Sequence, residues 1–116
     1  AKNREIYEFY KGAFADLDGI TLMPINEWNE PNCWLSCAYL RGKVRPRDIM
    51  EALDAENIES RPIWKPMHMQ PFYAGCDFIG SGVSEKIFEN GICLPSDTKM
   101  NDEDMIRIIE TIKGLL

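Results

Sequence analysis

The sequence predicts an α/β (α+β) fold, a small sheet of about three strands covered by helices, on three observations. Helical and extended patterns alternate in the order helix, strand, helix, strand, loop, helix, strand, helix. No internal repeat or low-complexity linker interrupts that order. The 116 residues, 45% apolar and 28% charged, suffice for one hydrophobic core, and so for a single domain over residues 1–116.

In the first segment Ile6, Phe9, Tyr10, Ala13, Phe14 and Leu17 recur at the three-and-four spacing of one helical face. This predicts a helix that buries the face and ends before Asp18-Gly19. The polar stretch "NEWNEPN" reads as loop. "CWLSCAYL", Cys33 to Leu40, is short, apolar and bounded by Pro31 and by Arg41-Gly42, which predicts a strand. Pro46 suits the first position of a second helix, on which "RDIMEALDAEN" places Ile49, Ala52, Leu53 and Asn57.

"IESRPI" is a short strand stopped by Pro62, and a long loop follows. "SGVSEKIFENG" predicts a third helix, with Ser81 as N-cap and Gly91 just past its end, leading into the strand "ICLP". In the last helix Asn101 and Asp104 form a capping-box pattern, with Asp102 and Glu103 at the positive end of the helix dipole. Its expected buried stripe is Met105, Ile108, Ile109, Ile112 and Leu116.

A net charge of −6 at pH 7 argues against a nucleic-acid surface, because binding phosphates needs clustered positive charge. The exception, "RGKVRPR" with Arg41, Lys43, Arg45 and Arg47, is either a solvated loop leading into a helix or a contact for a phosphate-bearing ligand. No apolar run is long enough to cross a bilayer, and "AKNREIYEFY" has neither an apolar signal region nor a start methionine. The chain is therefore expected to be soluble and cut from a longer protein, without a membrane partner. Cys33, Cys37, Cys76 and Cys93 lack the CxxC spacing of a zinc site, and Cys33 and Cys37, four apart on a predicted strand, should share one face. They read as buried reduced thiols, which implies a cytoplasmic location and no metal.

The segment "SRPIWKPMHMQPFY", Ser60 to Tyr73, holds three prolines, two methionines and the chain's one histidine. The prolines lower the entropy lost when such a loop is held in one shape, as a pre-shaped binding wall requires. This segment follows "NIES". With "REIYEFYKGAF", "NCWLSC" and "NGICLPSDTKMNDEDMIRII" it supplies four motifs in one order over most of the chain. Together they resemble the C-terminal domain of the DegT/StrS nucleotide-sugar aminotransferases, whose segments read like E-S/T-R-P-x-W-K-x-M-H, N-x-W-L-S/T and G-I/L-C-L-P-S-x-T. Among subgroups the sequence looks most like the enzymes that aminate C4 of a UDP-4-keto-6-deoxy-N-acetylhexosamine on the route to bacillosamine and related glycans. Two positions depart from the pattern: Cys33 stands where relatives often have arginine, and Asp97 where many have a glycine in a turn that tolerates positive φ.

The resemblance implies a pyridoxal-phosphate enzyme of fold type I, of which this chain is the small C-terminal domain. The large domain, with the Schiff-base lysine and the phosphate-binding loop, would precede Ala1, so this fragment should be inactive alone and hold no cofactor. Implied partners are that large domain, a second copy in a full-length homodimer, a nucleotide sugar, and glutamate as amino donor. The chain should form one wall of the substrate cleft. On that wall Arg61 holds a carboxylate or phosphate bidentately, or forms an interdomain ion pair. His68 meets a sugar hydroxyl or diphosphate oxygen, or is satisfied within its own loop. Trp34 and Trp64 pack on a sugar or base, or on a core or interface. Lys65 is a ligand contact or a surface lysine, and Asn32 is a polar contact. The free-standing alternative is an α/β ligand-binding or regulatory module without catalysis.

Overall fold

The computed structural model describes residues 1–116 and contains four α-helices around a four-stranded antiparallel sheet. The elements are α1 (Lys2–Ala13), β1 (Ile20–Leu22), β2 (Ser36–Leu40), α2 (Pro46–Ala55), β3 (Arg61–Pro62), α3 (Val83–Asn90), β4 (Gly91–Leu94) and α4 (Asp102–Lys113). Two short 3-10 turns, Met67–Met69 and Pro71–Tyr73, occupy the proline-rich loop. Strand order is β1-β2-β4-β3, so β4, late in the chain, lies beside β2 at the centre. No helix is long and apolar enough to cross a membrane.

The register opposes Ser36 to Leu94, Cys37 to Cys93 and Ala38 to Ile92. Because side chains alternate along a strand, Ala38, Leu40, Ile92 and Leu94 point to one face and Cys37 and Cys93 to the other. The first face meets α1, α2 and α4 in a single cluster of 17 buried residues. Each fully buried Ile or Leu, such as Ile49, Leu53, Ile92 or Ile112, contributes about 1.5–3 kcal/mol relative to exposure. Helix α3 packs on the sheet through β4 and β2 but contributes no residue to that cluster.

Several expectations are corrected. Strand β1 is a fourth strand, only three residues long and paired Ile20 to Leu40. The strand expected over 33–40 starts at Ser36, because Cys33 has φ 52° and turns the chain, with Trp34 N–H donating to Asn32 Oδ1 at 3.0 Å. Cys33 is therefore buried in the core cluster, while Cys37 lies on the opposite face. The strand expected over 58–63 pairs only at Arg61 and Pro62; proline has no N–H to extend the ladder.

On α1 the buried set is Ile6, Tyr7, Tyr10 and, just beyond it, Phe14, whereas Phe9 is exposed and Leu17 half-buried. The tyrosines fit the core because their hydroxyls donate to the carbonyls of Met23 (2.6 Å) and Pro95 (2.7 Å). Asn57 does not ride on α2 but follows it at φ 58°, where Ile58 N–H closes on Leu53 O at 2.9 Å. The N-cap of α3 is Gly82, at φ 82°, rather than Ser81. Gly91 is extended, the first residue of β4, and glycine is needed there for close approach: a Cβ would lie 2.4 Å from Ile87 O. Leu116 falls beyond the end of α4 and is exposed. Asp97 is not in the left-handed region; its carboxylate accepts from Lys99 N–H at 2.9 Å and closes the turn.

Candidate functional site

Edge strand β3 and the segment after it form one side of an open groove of about 970 Å³, whose floor includes Cys93 and Leu94 of β4. Four of the six predicted site residues, Trp34, Arg61, Trp64 and Lys65, line it. Asn32 and His68 do not. Trp34 and Trp64 are distant in sequence but meet across the groove, ring centres 6.3 Å apart and planes tilted by 46°. Each is 64% exposed, so neither is a core residue of this chain.

Arg61 extends from β3 with its side chain 75% exposed and pairs with Glu59 Oε1 through Nε (2.8 Å) and Nη2 (2.7 Å). A pair this open to water holds its arginine weakly, so Arg61 can exchange Glu59 for a ligand carboxylate or phosphate. Lys65 is exposed and has no ion pair. Arg107 of α4 also lines the groove, donating to Glu56 O at 2.6 Å and Glu56 Oε2 at 2.9 Å. The hydroxyl oxygen of Ser60, another lining residue, is buried without a partner. The groove thus combines two aromatic faces with cationic groups and an unused polar atom, a set suited to an anionic ligand with a flat or ring-shaped part.

His68 lies in the first 3-10 turn with Nε2 2.7 Å from Glu85 Oε1 and its ring stacked on Phe78. Sequence reasoning missed Glu85 and Phe78, which meet His68, and Arg107, which lines the groove, because these contacts form only through the tertiary fold. The basic run does not converge on one point: Arg45 donates to Asn90 Oδ1 at 2.6 Å and Arg47 pairs with Glu51 at 2.7 Å. Beneath the groove Cys37 and Cys93 bring their sulfurs to 3.7 Å. Burial, and then the neighbouring Cys93, push the Cys37 thiol up to about 12, and burial raises Cys93 also. Both stay protonated at neutral pH and make poor nucleophiles.

The chain is 39% identical over 118 residues to EpsN of Bacillus subtilis, a protein named as a pyridoxal phosphate-dependent aminotransferase, covering 98% of this chain and 30% of that relative. It is 32% identical over 85 residues to the GDP-perosamine synthase of Caulobacter vibrioides, covering 72% of this chain and 23% of the relative. The apo-form structure of Spr1654 from Streptococcus pneumoniae, named as a sugar aminotransferase, superposes with a TM-score of 0.86 at 27% identity, over 98% of this chain and 30% of that one. The chain therefore spans about a third or less of the length of these relatives. The model of the DegT/DnrJ/EryC1/StrS aminotransferase family matches residues 1–113, and the chain belongs to that family.

Proposed function

We propose that residues 1–116 are the C-terminal small domain of a longer pyridoxal-phosphate-dependent aminotransferase. The parent transfers an amino group from glutamate to a 4-keto nucleotide sugar of the UDP-4-keto-6-deoxy-N-acetylhexosamine type, in the cytoplasm, for glycan or polysaccharide synthesis. The observation that carries the reading is the family match over residues 1–113. The groove supports it: Trp34 and Trp64 offer faces to a sugar or base, and Arg61 and Lys65 offer charge to a diphosphate or to the donor's carboxylate. Asn32 acts indirectly, by holding the turn that presents Trp34.

The residues of this chain do not make a cofactor site. All seven lysines are exposed, and only Lys65 lines the groove, so no lysine has the desolvated setting that activates an amine. The reading therefore places the cofactor on the preceding large domain of the parent, which acts as a homodimer. The role left to this chain is to bind and orient substrate.

Arg61→Ala in the full-length parent tests that role. Loss of a charged contact costs about 1.5–3 kcal/mol, or roughly one to two orders of magnitude in kcat/KM. The loss should fall on the glutamate half-reaction if Arg61 holds the donor carboxylate, and on the sugar half-reaction if it meets the nucleotide. Wild-type rates in both half-reactions would remove Arg61 from the binding wall.

A further inference from the structure

His68 is held from two sides. Its Nε2 lies 2.7 Å from Oε1 of Glu85, in the first turn of α3, and its ring lies flat on Phe78 with centres 3.6 Å apart and planes 12° from parallel. The two side chains of the pair are 20% and 30% exposed, far less than those of Arg61 and Glu59. An ionised carboxylate only accepts hydrogen bonds, so this contact puts a proton on Nε2, and whenever the ring is neutral its lone pair is on Nδ1. Nδ1 is not among the buried polar atoms that lack a partner, which are Asn3 Oδ1, Ser36 Oγ and Ser60 Oγ. It makes no hydrogen bond within the chain and so reaches solvent.

We propose that Glu85 and Phe78 are positioning residues for His68, fixing its ring and tautomer so that Nδ1 is presented outward as a hydrogen-bond acceptor for a sugar hydroxyl. In the neutral tautomer so fixed, a phosphate oxygen is itself an acceptor and cannot pair with that lone pair, so the hydroxyl is the ligand group this tautomer takes. The inference rests on the reading of His68 as a substrate-binding residue. It adds what sets the orientation and which chemistry is accepted.

The test uses the full-length parent and UDP-4-keto-6-deoxy-N-acetylhexosamine, with both half-reactions followed in single turnovers for Glu85→Ala, Glu85→Gln, His68→Ala and the His68→Ala/Glu85→Ala double variant. Glu85→Ala should lower kcat/KM of the sugar half-reaction about tenfold, within the range for directly contacting pairs, and leave the glutamate half-reaction unchanged. Glu85→Gln keeps an acceptor oxygen and should recover most of the loss. In the His68→Ala background Glu85→Ala should cost nothing further. Loss in both half-reactions with a lowered Tm would make Glu85 merely structural, and loss confined to the glutamate half-reaction would assign Nδ1 to the donor's ammonium; either overturns the proposal. Wild-type rates for His68→Ala would sink the underlying reading, whereas an impaired His68→Ala beside an unimpaired Glu85→Ala would sink this inference alone. Proton NMR gives a readout independent of turnover: a slowly exchanging imidazole Nε2–H of His68, lost in Glu85→Ala, is expected, and its absence from the wild type overturns the proposal.

Discussion

Cys37 shows how a single residue's chemistry follows from its place in a strand. It opposes Cys93 on the face turned away from the main core, where burial disfavours a thiolate and pushes its pKa to about 12. The folded pKa is raised above that of the unfolded thiol, so the native state favours the protonated form. The resulting stability is fully present below the ordinary thiol range and is lost as pH rises toward 12. The urea midpoint of unfolding should therefore fall through that window, and Cys37→Ala should flatten part of the fall. Tyr7 and Tyr10, both raised by burial, contribute in the same direction, so the difference between the two proteins is the quantity to measure. An identical pH profile for Cys37→Ala would count against the assignment. The spacing of Cys33 and Cys37 could not show that they part company, because the positive φ at Cys33 is set by packing and the Asn32 turn rather than by a residue type that favours it.

At the scale of elements, legibility follows local determination. Helix α4 was readable because its cap is written in the sequence: Asp104 N–H donates to Asn101 Oδ1 at 2.9 Å and Asn101 N–H to Asp104 Oδ2 at 3.0 Å. Strand β1 was not, since three residues carry no period and are defined by their partner β2. The same limit applies to the site. The loop that supplies Arg61, Trp64 and Lys65 stood out by composition, but the contact of Trp34 with Trp64 and the pairing of His68 with Glu85 depend on the fold. Two substitutions separate a local from a tertiary determinant. Asn101→Ala should cost about 1 kcal/mol through the lost cap. Gly91→Ala should cost about 1–3 kcal/mol, because its Cβ meets the backbone carbonyl of Ile87, which cannot move without disturbing α3. Urea unfolding of both variants measures the two costs, and a neutral Gly91→Ala would contradict the close approach of α3 and β4.

Over the whole molecule, the three-helix face of the sheet is well buried, while the proline-rich segment and α3 keep large apolar groups in water. Phe72 is 87% exposed and Ile79 fully exposed, beside half-exposed Phe78 and Ile87. The lysines are distributed over the surface, with none enclosed. This division between a finished core and an open wall bears on the cofactor. An exposed lysine can add reversibly to an aldehyde, but nothing here surrounds the product to retain it. Residues 1–116 mixed with pyridoxal phosphate should therefore lose all cofactor absorbance on dialysis, whereas the full-length parent should keep it. Retention of a stoichiometric visible band by residues 1–116 alone would mean that this chain encloses a lysine after all, and the division of labour proposed between it and the rest of the parent would have to be abandoned.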